Sequence, residues 1–165
     1  MRHFVKSCVA PLLLLAPAPL LAADPAPAVP SVQHFMIGLS VADIDAMTAW
    51  YGTMLGFKVT KEAPMPEGGG KVRFIENGNA RIELIYQPGA KAAPARGTPP
   101  AHAGILGPVQ ITLEVPDLDA ARAALAARGV TIDLDITPLP PLGIRILFLR
   151  DPEGNLVELV QRLAS

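Results

Sequence analysis

Apolar and polar residues alternate in a stretch near the start of the chain and again in a stretch past its middle. Residues 36–45 read Met-Ile-Gly-Leu-Ser-Val-Ala-Asp-Ile-Asp, and residues 110–119 read Gln-Ile-Thr-Leu-Glu-Val-Pro-Asp-Leu-Asp. The alternation has the period of two that is typical of a strand with one buried face. Each stretch is therefore predicted to be a strand that opens one of two copies of the same module.

After each opening strand the pattern changes to the helical period. Asp43 and Asp117 are suited to cap a helix, because a carboxylate accepts from the free N–H groups of the first turn. Apolar residues at helical spacing run to Gly56 in the first copy, and an alanine-rich run reaches Gly129 in the second. Three strand-like runs follow each helix. The pattern predicts an α+β fold of two βαβββ modules in tandem.

The predicted domain covers residues 32–162, with modules at about 32–87 and 108–162. The predicted elements are a strand at 32–41, a helix at 42–55 and strands at 57–62, 71–75 and 80–87, then a strand at 108–115, a helix at 117–128 and strands at 130–136, 143–149 and 155–161. Asn77-Gly78 favours a hairpin, and prolines from Pro138 onward are expected to end the sixth strand. The connector, residues 88–108, is long enough for the modules to pair within one chain or across a homodimer.

Residues 1–23 have the pattern of a secretory signal peptide. A basic start with Arg2 and Lys6 precedes an apolar run that three prolines interrupt. Because about 20 uninterrupted apolar residues are needed to span a bilayer, a cleaved signal is favoured over a retained anchor. Residues 24–31 are a proline and alanine linker. The mature protein is expected to be periplasmic or secreted and not to remain in the membrane.

Composition excludes several kinds of chemistry. Cys8 is the single cysteine and leaves with the signal, so the mature chain has no disulfide or thiolate site. The formal net charge of the whole chain is −1, and loss of the basic signal residues makes it more negative. Such a charge gives no electrostatic reason to bind nucleic acid or an anionic membrane. The expected partner is a small molecule.

Strand parity places two glutamates on the sheet faces that point away from the helices. Glu83 and Glu158 each lie between apolar neighbours on the closing strand of a module, and Gln110 lies on the same side of its own strand. A sheet curved from two modules would bring these three side chains into a shared cleft. Their oxygens suit a divalent ion, and the imidazole of His34 would complete the donor set. The alternative, that both glutamates lie on a solvated face of sheet, stays open.

Several motifs resemble the vicinal oxygen chelate superfamily, which includes glyoxalase I, bleomycin-resistance proteins, methylmalonyl-CoA epimerase and extradiol dioxygenases. The motifs are the doubled module, Ala49-Trp50-Tyr51 with Leu55-Gly56-Phe57, the reversal Asp151-Pro152-Glu153-Gly154-Asn155, and Val157-Glu158-Leu159. The resemblance covers residues 32–162 and implies a curved mixed sheet around a cleft. From the residue pattern alone, Trp50 and Tyr51 are predicted to pack the first helix onto its sheet.

In metal-using members of that superfamily the ligands lie on the first and last strands of each module. Those positions here are Met36, Glu83, Gln110 and Glu158. Met36 departs from the pattern, because a thioether is a poor ligand for hard or borderline ions. His34, two residues earlier on the same strand face, is the candidate that would replace it. His102 lies in the connector and is a weaker candidate.

The resemblance implies proton-transfer chemistry. A divalent ion (zinc, nickel, iron or manganese) would stabilise an enediolate, with Glu158 as the catalytic base and Glu83 as partner ligand or second base. The reaction would be an isomerisation or a lyase-type step on a small α-oxygenated carbonyl compound. Iron dioxygenase chemistry is less favoured, because it needs two histidines and one carboxylate. The alternative is a metal-free binding protein of the bleomycin-resistance type, which Met36 and the scarcity of histidine favour.

Overall fold

The computed structural model describes residues 35–66 and 68–163, and in them it shows the same module twice. The first module contains β1 (Ile37–Val41), α1 (Ile44–Leu55), β2 (Lys58–Pro64), β3 (Lys71–Asn77) and β4 (Ala80–Tyr86). The second contains β5 (Ile111–Glu114), α2 (Leu118–Ala127), β6 (Ile132–Leu139), β7 (Ile144–Arg150) and β8 (Leu156–Arg162). The predicted order of strand, helix and three strands is confirmed in both. The predicted signal peptide and linker, together with His34, lie outside the described residues.

Each module forms one four-stranded mixed sheet. The strand orders are β1-β4-β3-β2 and β5-β8-β7-β6, with the opening and closing strands parallel and the other pairs antiparallel. Gly38 pairs with Glu83 in the first sheet, and Thr112 pairs with Glu158 in the second. Equivalent positions are therefore paired in both modules, so the repeat extends to the register of the strands.

The helices cover one face of each sheet, and the predicted parity of the strands is confirmed. One apolar core contains residues from both modules. Its buried members include Val41, Ile82 and Leu84 from the first module and Ile111, Val157 and Leu159 from the second. Side chains at the alternate positions, among them Glu83 and Glu158, consequently point to the opposite faces. In the described ranges no helix is long and apolar enough to cross a bilayer.

Both helices begin at the predicted aspartates. The Asp43 carboxylate accepts from the N–H groups of Asp45 and Ala46 at 3.0 and 2.9 Å, and Asp117 accepts from Ala120 at 2.9 Å. Gly56 ends α1 in the left-handed conformation, with φ of 69°. Because a residue without a β-carbon adopts this conformation at no steric cost, the glycine is a good terminator.

The predicted end of the sixth strand is wrong. It was expected to end before Pro138, but β6 continues to Leu139, and Pro138 pairs with Arg145 of β7. Since β6 is the edge strand of its sheet, it has a neighbouring strand on one side only, and edge strands are where a sheet tolerates proline. The two opening strands are also shorter than predicted in the described residues, where they begin at Ile37 and Ile111.

The reversal between β7 and β8 joins the second module to α1. The Glu153 carboxylate accepts from the N–H groups of Ala42 and Asp43 at 2.9 to 3.0 Å, just before the helix. The Tyr51 hydroxyl donates to Asp151 Oδ2 at 3.1 Å. Tyr51 is fully buried, which confirms its packing role. Burial, reinforced by the charge of Asp151, raises the pKa of Tyr51, so its hydroxyl stays protonated as the donor.

Candidate functional site

The carboxylate of Glu158 lies among apolar side chains, on the face of the second sheet that points away from α2. Glu158 is partly buried on β8, between two neighbours whose side chains point into the main core. A separate apolar cluster has Ile146, Phe148 and Leu156 as its buried members. Phe148 lies directly across from Glu158 on β7, and Leu156 lies two residues before it on β8. Residues so placed share a sheet face, so the cluster surrounds the carboxylate.

Two neighbouring side chains hold one oxygen of Glu158. Gln110 Nε2 donates to Oε2 at 2.9 Å, and the Thr112 hydroxyl donates to the same atom at 2.7 Å. Within the described residues nothing donates to Oε1. The carboxylate is therefore fixed by one oxygen while the other is available to accept a proton. Gln110 and Glu158 are thus in contact, while their predicted role as metal ligands stays a prediction.

Glu83 occupies the equivalent position in the first module without such support. Its cross-strand neighbour is Gly38, which stands where the second module has Thr112. A β-carbon at Gly38 would lie 3.6 Å from Glu83 Oε2, so the glycine leaves space beside the carboxylate but offers no hydroxyl. No described side chain donates to Glu83. The repeat thus contains one fixed carboxylate and one unrestrained one.

The described donors do not by themselves fit a divalent ion. Met36 is 40% exposed and presents a thioether, and Gln110 turns its amide nitrogen toward Glu158. Across residues 35–66 and 68–163, no three histidine, cysteine, aspartate or glutamate side chains converge as metal ligands. No described contact joins Glu83 to Glu158, so their convergence in one cleft stays a prediction. The same holds for His34 as a ligand, because it lies outside those ranges.

The connector places His102 against Phe148 of the apolar cluster beside Glu158. His102 lies on a short 3-10 helix, Ala101–Gly104, and its ring meets the ring of Phe148 edge-on with centroids 5.4 Å apart. Its Nδ1 atom is buried and has no hydrogen-bond partner in the part of the chain that the structure describes. Sequence reasoning ranked His102 below His34, because the connector carries no periodic pattern that predicts where it lies.

Arginines hold the connector in place. Arg150, at the end of β7, donates to the carbonyl oxygens of residues 96 and 97 at 3.1 and 3.2 Å. The same guanidinium pairs with Asp133 of β6 at 2.9 Å. Arg96 in turn donates to the carbonyl oxygen of His102 at 3.0 Å. The backbone next to the histidine is thereby attached to the second sheet.

Two cavities in the described part of the chain border the helices. One, of about 350 Å³, is bordered by Trp50 and Met54 of α1 together with Arg150 and Asp151. The other, of about 240 Å³, lies where the end of α1 approaches β5 and α2. Neither is lined by the two glutamates of the sheet faces.

Comparison with known proteins identifies related sequences. The family model described as the glyoxalase/bleomycin resistance protein/dioxygenase superfamily matches residues 31–159. Human mitochondrial methylmalonyl-CoA epimerase is 30% identical over 127 residues, which span 76% of this chain and 71% of that protein. A probable lactoylglutathione lyase of Vibrio parahaemolyticus is 28% identical over 134 residues, spanning 79% of this chain and 89% of that protein.

Solved structures share the architecture. A glyoxalase family protein from Bacillus cereus has a TM-score of 0.65 at 18% identity, covering 84% of this chain and all of that one (100%). Glyoxalase I from Zea mays has a TM-score of 0.61 at 20% identity, covering 81% of this chain and 46% of that one. These likenesses confirm the predicted glyoxalase-like fold. At such identities they show the fold alone.

Proposed function

Because the chain belongs to the glyoxalase/bleomycin resistance protein/dioxygenase superfamily, we propose that it is an isomerase, epimerase or lyase that moves a proton on a small α-oxygenated carbonyl compound. The similar relatives named above are an epimerase and a lyase. The observation that carries the proposal is the geometry of Glu158, one oxygen of which is held by two donors while the other is free. A positioned carboxylate of this kind suits general base catalysis.

The surroundings of Glu158 support a base. Phe148 and Leu156 are 2% and 3% exposed on the same face, so a reacting carbon beside them would be shielded from water. Gln110 and Thr112 are positioning residues, because they prevent the carboxylate from rotating away. In the proposed reaction Oε1 takes the proton next to the carbonyl group. Glu83, which no described side chain restrains, would return a proton from the other module.

The proposal includes a divalent ion (zinc, nickel, iron or manganese) only if His34 is one of its ligands, because the described side chains alone do not suffice to bind one. The second candidate function is a metal-free binding protein of the bleomycin-resistance type. Met36 favours it, since the thioether stands at a position where metal-using relatives have a ligand. The two functions differ in whether the bound molecule exchanges a proton with solvent.

Solvent exchange tests the proposed function. Residues 24–165 would be incubated in D₂O with hydroxyacetone, glyceraldehyde, methylmalonyl-CoA and the glutathione hemithioacetal of methylglyoxal, and proton NMR would follow the α-proton signals. We expect exchange with at least one compound, before or after addition of each of the four metals to chelator-treated protein. Calorimetric binding without any exchange would favour the binding protein. Exchange that appears only with metal would support a metal-dependent reaction.

We also propose that the protein is exported to the periplasm or secreted, on the strength of the signal-like residues 1–23. The full chain would be expressed in a Gram-negative host beside a chain that begins at residue 24. We expect the full chain in the periplasmic fraction, with an N-terminus after Ala22 or Ala23 by mass spectrometry. Retention of uncleaved full chain in the membrane or cytoplasm would contradict the proposal.

A further inference from the structure

We propose that His102 is a second catalytic residue, which polarises the carbonyl oxygen of the substrate through Nδ1–H while Glu158 removes the neighbouring proton. The inference rests on the proposed function and deepens it. It assigns the connector, residues 88–108, a chemical role in addition to that of linking the modules.

Position is the first observation. His102 and Glu158 both lie beside Phe148, the histidine by an edge-on ring contact at 5.4 Å and the glutamate as the directly paired residue on the next strand. Directly opposed residues in an antiparallel pair have β-carbons roughly 4.5 to 5.5 Å apart. An imidazole and a carboxylate therefore lie around one aromatic ring on one face of the sheet.

The unpaired nitrogen is the second observation. His102 Nδ1 is buried without a partner among the described residues. Because a buried polar atom without a hydrogen bond costs roughly 1 to 3 kcal/mol, such atoms are rare in folded proteins. A ligand oxygen at this place would supply the missing partner. The competing explanation is that the ring serves only to cover Phe148, and the test below separates the two.

The support of the connector is the third observation. The equivalent ring in the first module, Phe74, is only partly buried, whereas Phe148 is almost fully buried where His102 packs on it. The hydrogen bonds of Arg150 and Arg96 to connector carbonyls fix the backbone around the histidine. A catalytic group needs this kind of support, because a loosely held ring loses the geometry that proton transfer requires.

The chemistry balances without an added reagent. Glu158 Oε1 takes the α-proton, and the electron pair of the broken C–H bond forms a carbon–carbon double bond. The π pair of the carbonyl group moves to oxygen, which receives a proton from His102 Nδ1. Collapse of the enediol returns the oxygen-bound proton to His102, while a carboxylate reprotonates carbon. Met36 and Gln110, directly before the opening strands of the two modules, have no imidazole. His102 would thus be the residue that polarises the carbonyl oxygen.

The test uses acetohydroxamic acid, a neutral molecule whose two oxygens stand on adjacent atoms, as the oxygens of an enediol do. Residues 24–165 contain two of the three histidines, so loss of one signal in His102→Asn assigns the ¹⁵N resonances of His102. With EDTA present, we expect the probe to shift the Nδ1 resonance of wild-type His102. His102→Phe keeps the ring contact but has no nitrogen, and it should bind the probe up to about tenfold more weakly, as the loss of one hydrogen bond implies.

His102→Asn is the matched variant, because its amide can reach the place of Nδ1 and should bind more tightly than His102→Phe. Equal probe affinity in wild type and His102→Phe would overturn the inference while leaving the proposed function to the exchange test. Binding that EDTA abolishes, or no binding by the wild type, would also overturn it. If His102→Phe does not fold, as judged from its Tm, the inference is tested by the Nδ1 resonance shift of the wild type and by the probe affinity of His102→Asn.

Discussion

Glu158→Gln is expected to lower kcat/KM for proton exchange by roughly 10²- to 10⁴-fold, the usual contribution of a general base. The amide has nearly the same shape, and its carbonyl oxygen can still accept from Gln110 and Thr112. It cannot take up the α-proton. The variant should therefore bind ligand and melt close to the wild-type temperature while it loses turnover. The measurement is the NMR exchange rate with whichever compound the wild type turns over.

Glu114→Gln is the matched control for this variant. Glu114 is an exposed carboxylate on β5, on the same strand as Thr112, and it is paired with Arg162 at 3.0 Å. Exposed ion pairs contribute little to stability, and this one holds no group beside Phe148. We expect exchange within about threefold of wild type, since Glu114 has no described contact with Glu158 and its exposed ion pair contributes little. A Glu158→Gln variant as active as this control would remove Glu158 from the mechanism.

Asp151→Ala is expected to lower the free energy of unfolding by about 3 to 5 kcal/mol, because it removes the acceptor of several hydrogen bonds and each buried donor left unpaired costs roughly 1 to 3 kcal/mol. Asp151 is 4% exposed and accepts from Tyr51 at 3.1 Å, from the Glu153 N–H at 3.0 Å, and from Asn155 at 2.8 and 2.9 Å. Alanine would leave these donors unpaired in a buried place. Urea denaturation followed by tryptophan fluorescence would measure the loss.

Asp135→Ala is the control for that measurement. Asp135 is an exposed carboxylate paired with Arg122 at 2.7 Å, and this hydrogen bond is the main cause that lowers its pKa to about 2. Because solvent screens this pair, its removal should cost far less than removal of Asp151. Equal losses in the two variants would contradict the structural role assigned to the reversal between β7 and β8.

The contribution of Asp151 should also depend on pH. Burial raises the pKa of its carboxyl group, although the hydrogen bonds from Asn155, Tyr51 and Glu153 act in the other direction. The folded state then holds the proton more tightly than the unfolded state. Stability from this group is accordingly highest below its ordinary pKa of 3.8 and falls as pH rises toward the folded value. The free energy of unfolding of the wild type minus that of Asp151→Asn, measured from pH 3 to 7, should decrease as the pH rises.

Much of the fold followed from local patterns. The alternation in residues 36–41 and 110–115 predicted two strands and the faces that they bury, and Asp43 and Asp117 predicted both helix starts. Such signals work because strand parity and helix capping depend on neighbours a few residues apart. The predicted end of β6 was wrong for the same reason. A proline's tolerance depends on whether its strand has a neighbour on that side, which local sequence does not contain.

The site was predictable only in part. Strand parity predicted that Glu83 and Glu158 point away from the helices, but it predicted no difference between the two carboxylates. Their difference comes from the start of each opening strand, where Gln110 and Thr112 donate to Glu158 while the equivalent Met36 and Gly38 have no side-chain donor for Glu83. The role of His34 and the metal stays a prediction.

Periodicity along the chain was thus sufficient for the repeat, for the sheet faces and for the two glutamates, because each depends on spacings that one short segment contains. The bond from Tyr51 to Asp151 and the contact of His102 with Phe148 emerged only in the folded molecule. Both join segments far apart in sequence, one of them a turn and the other an aperiodic connector. Their meeting depends on how the modules and the connector pack together, and no local pattern contains that information.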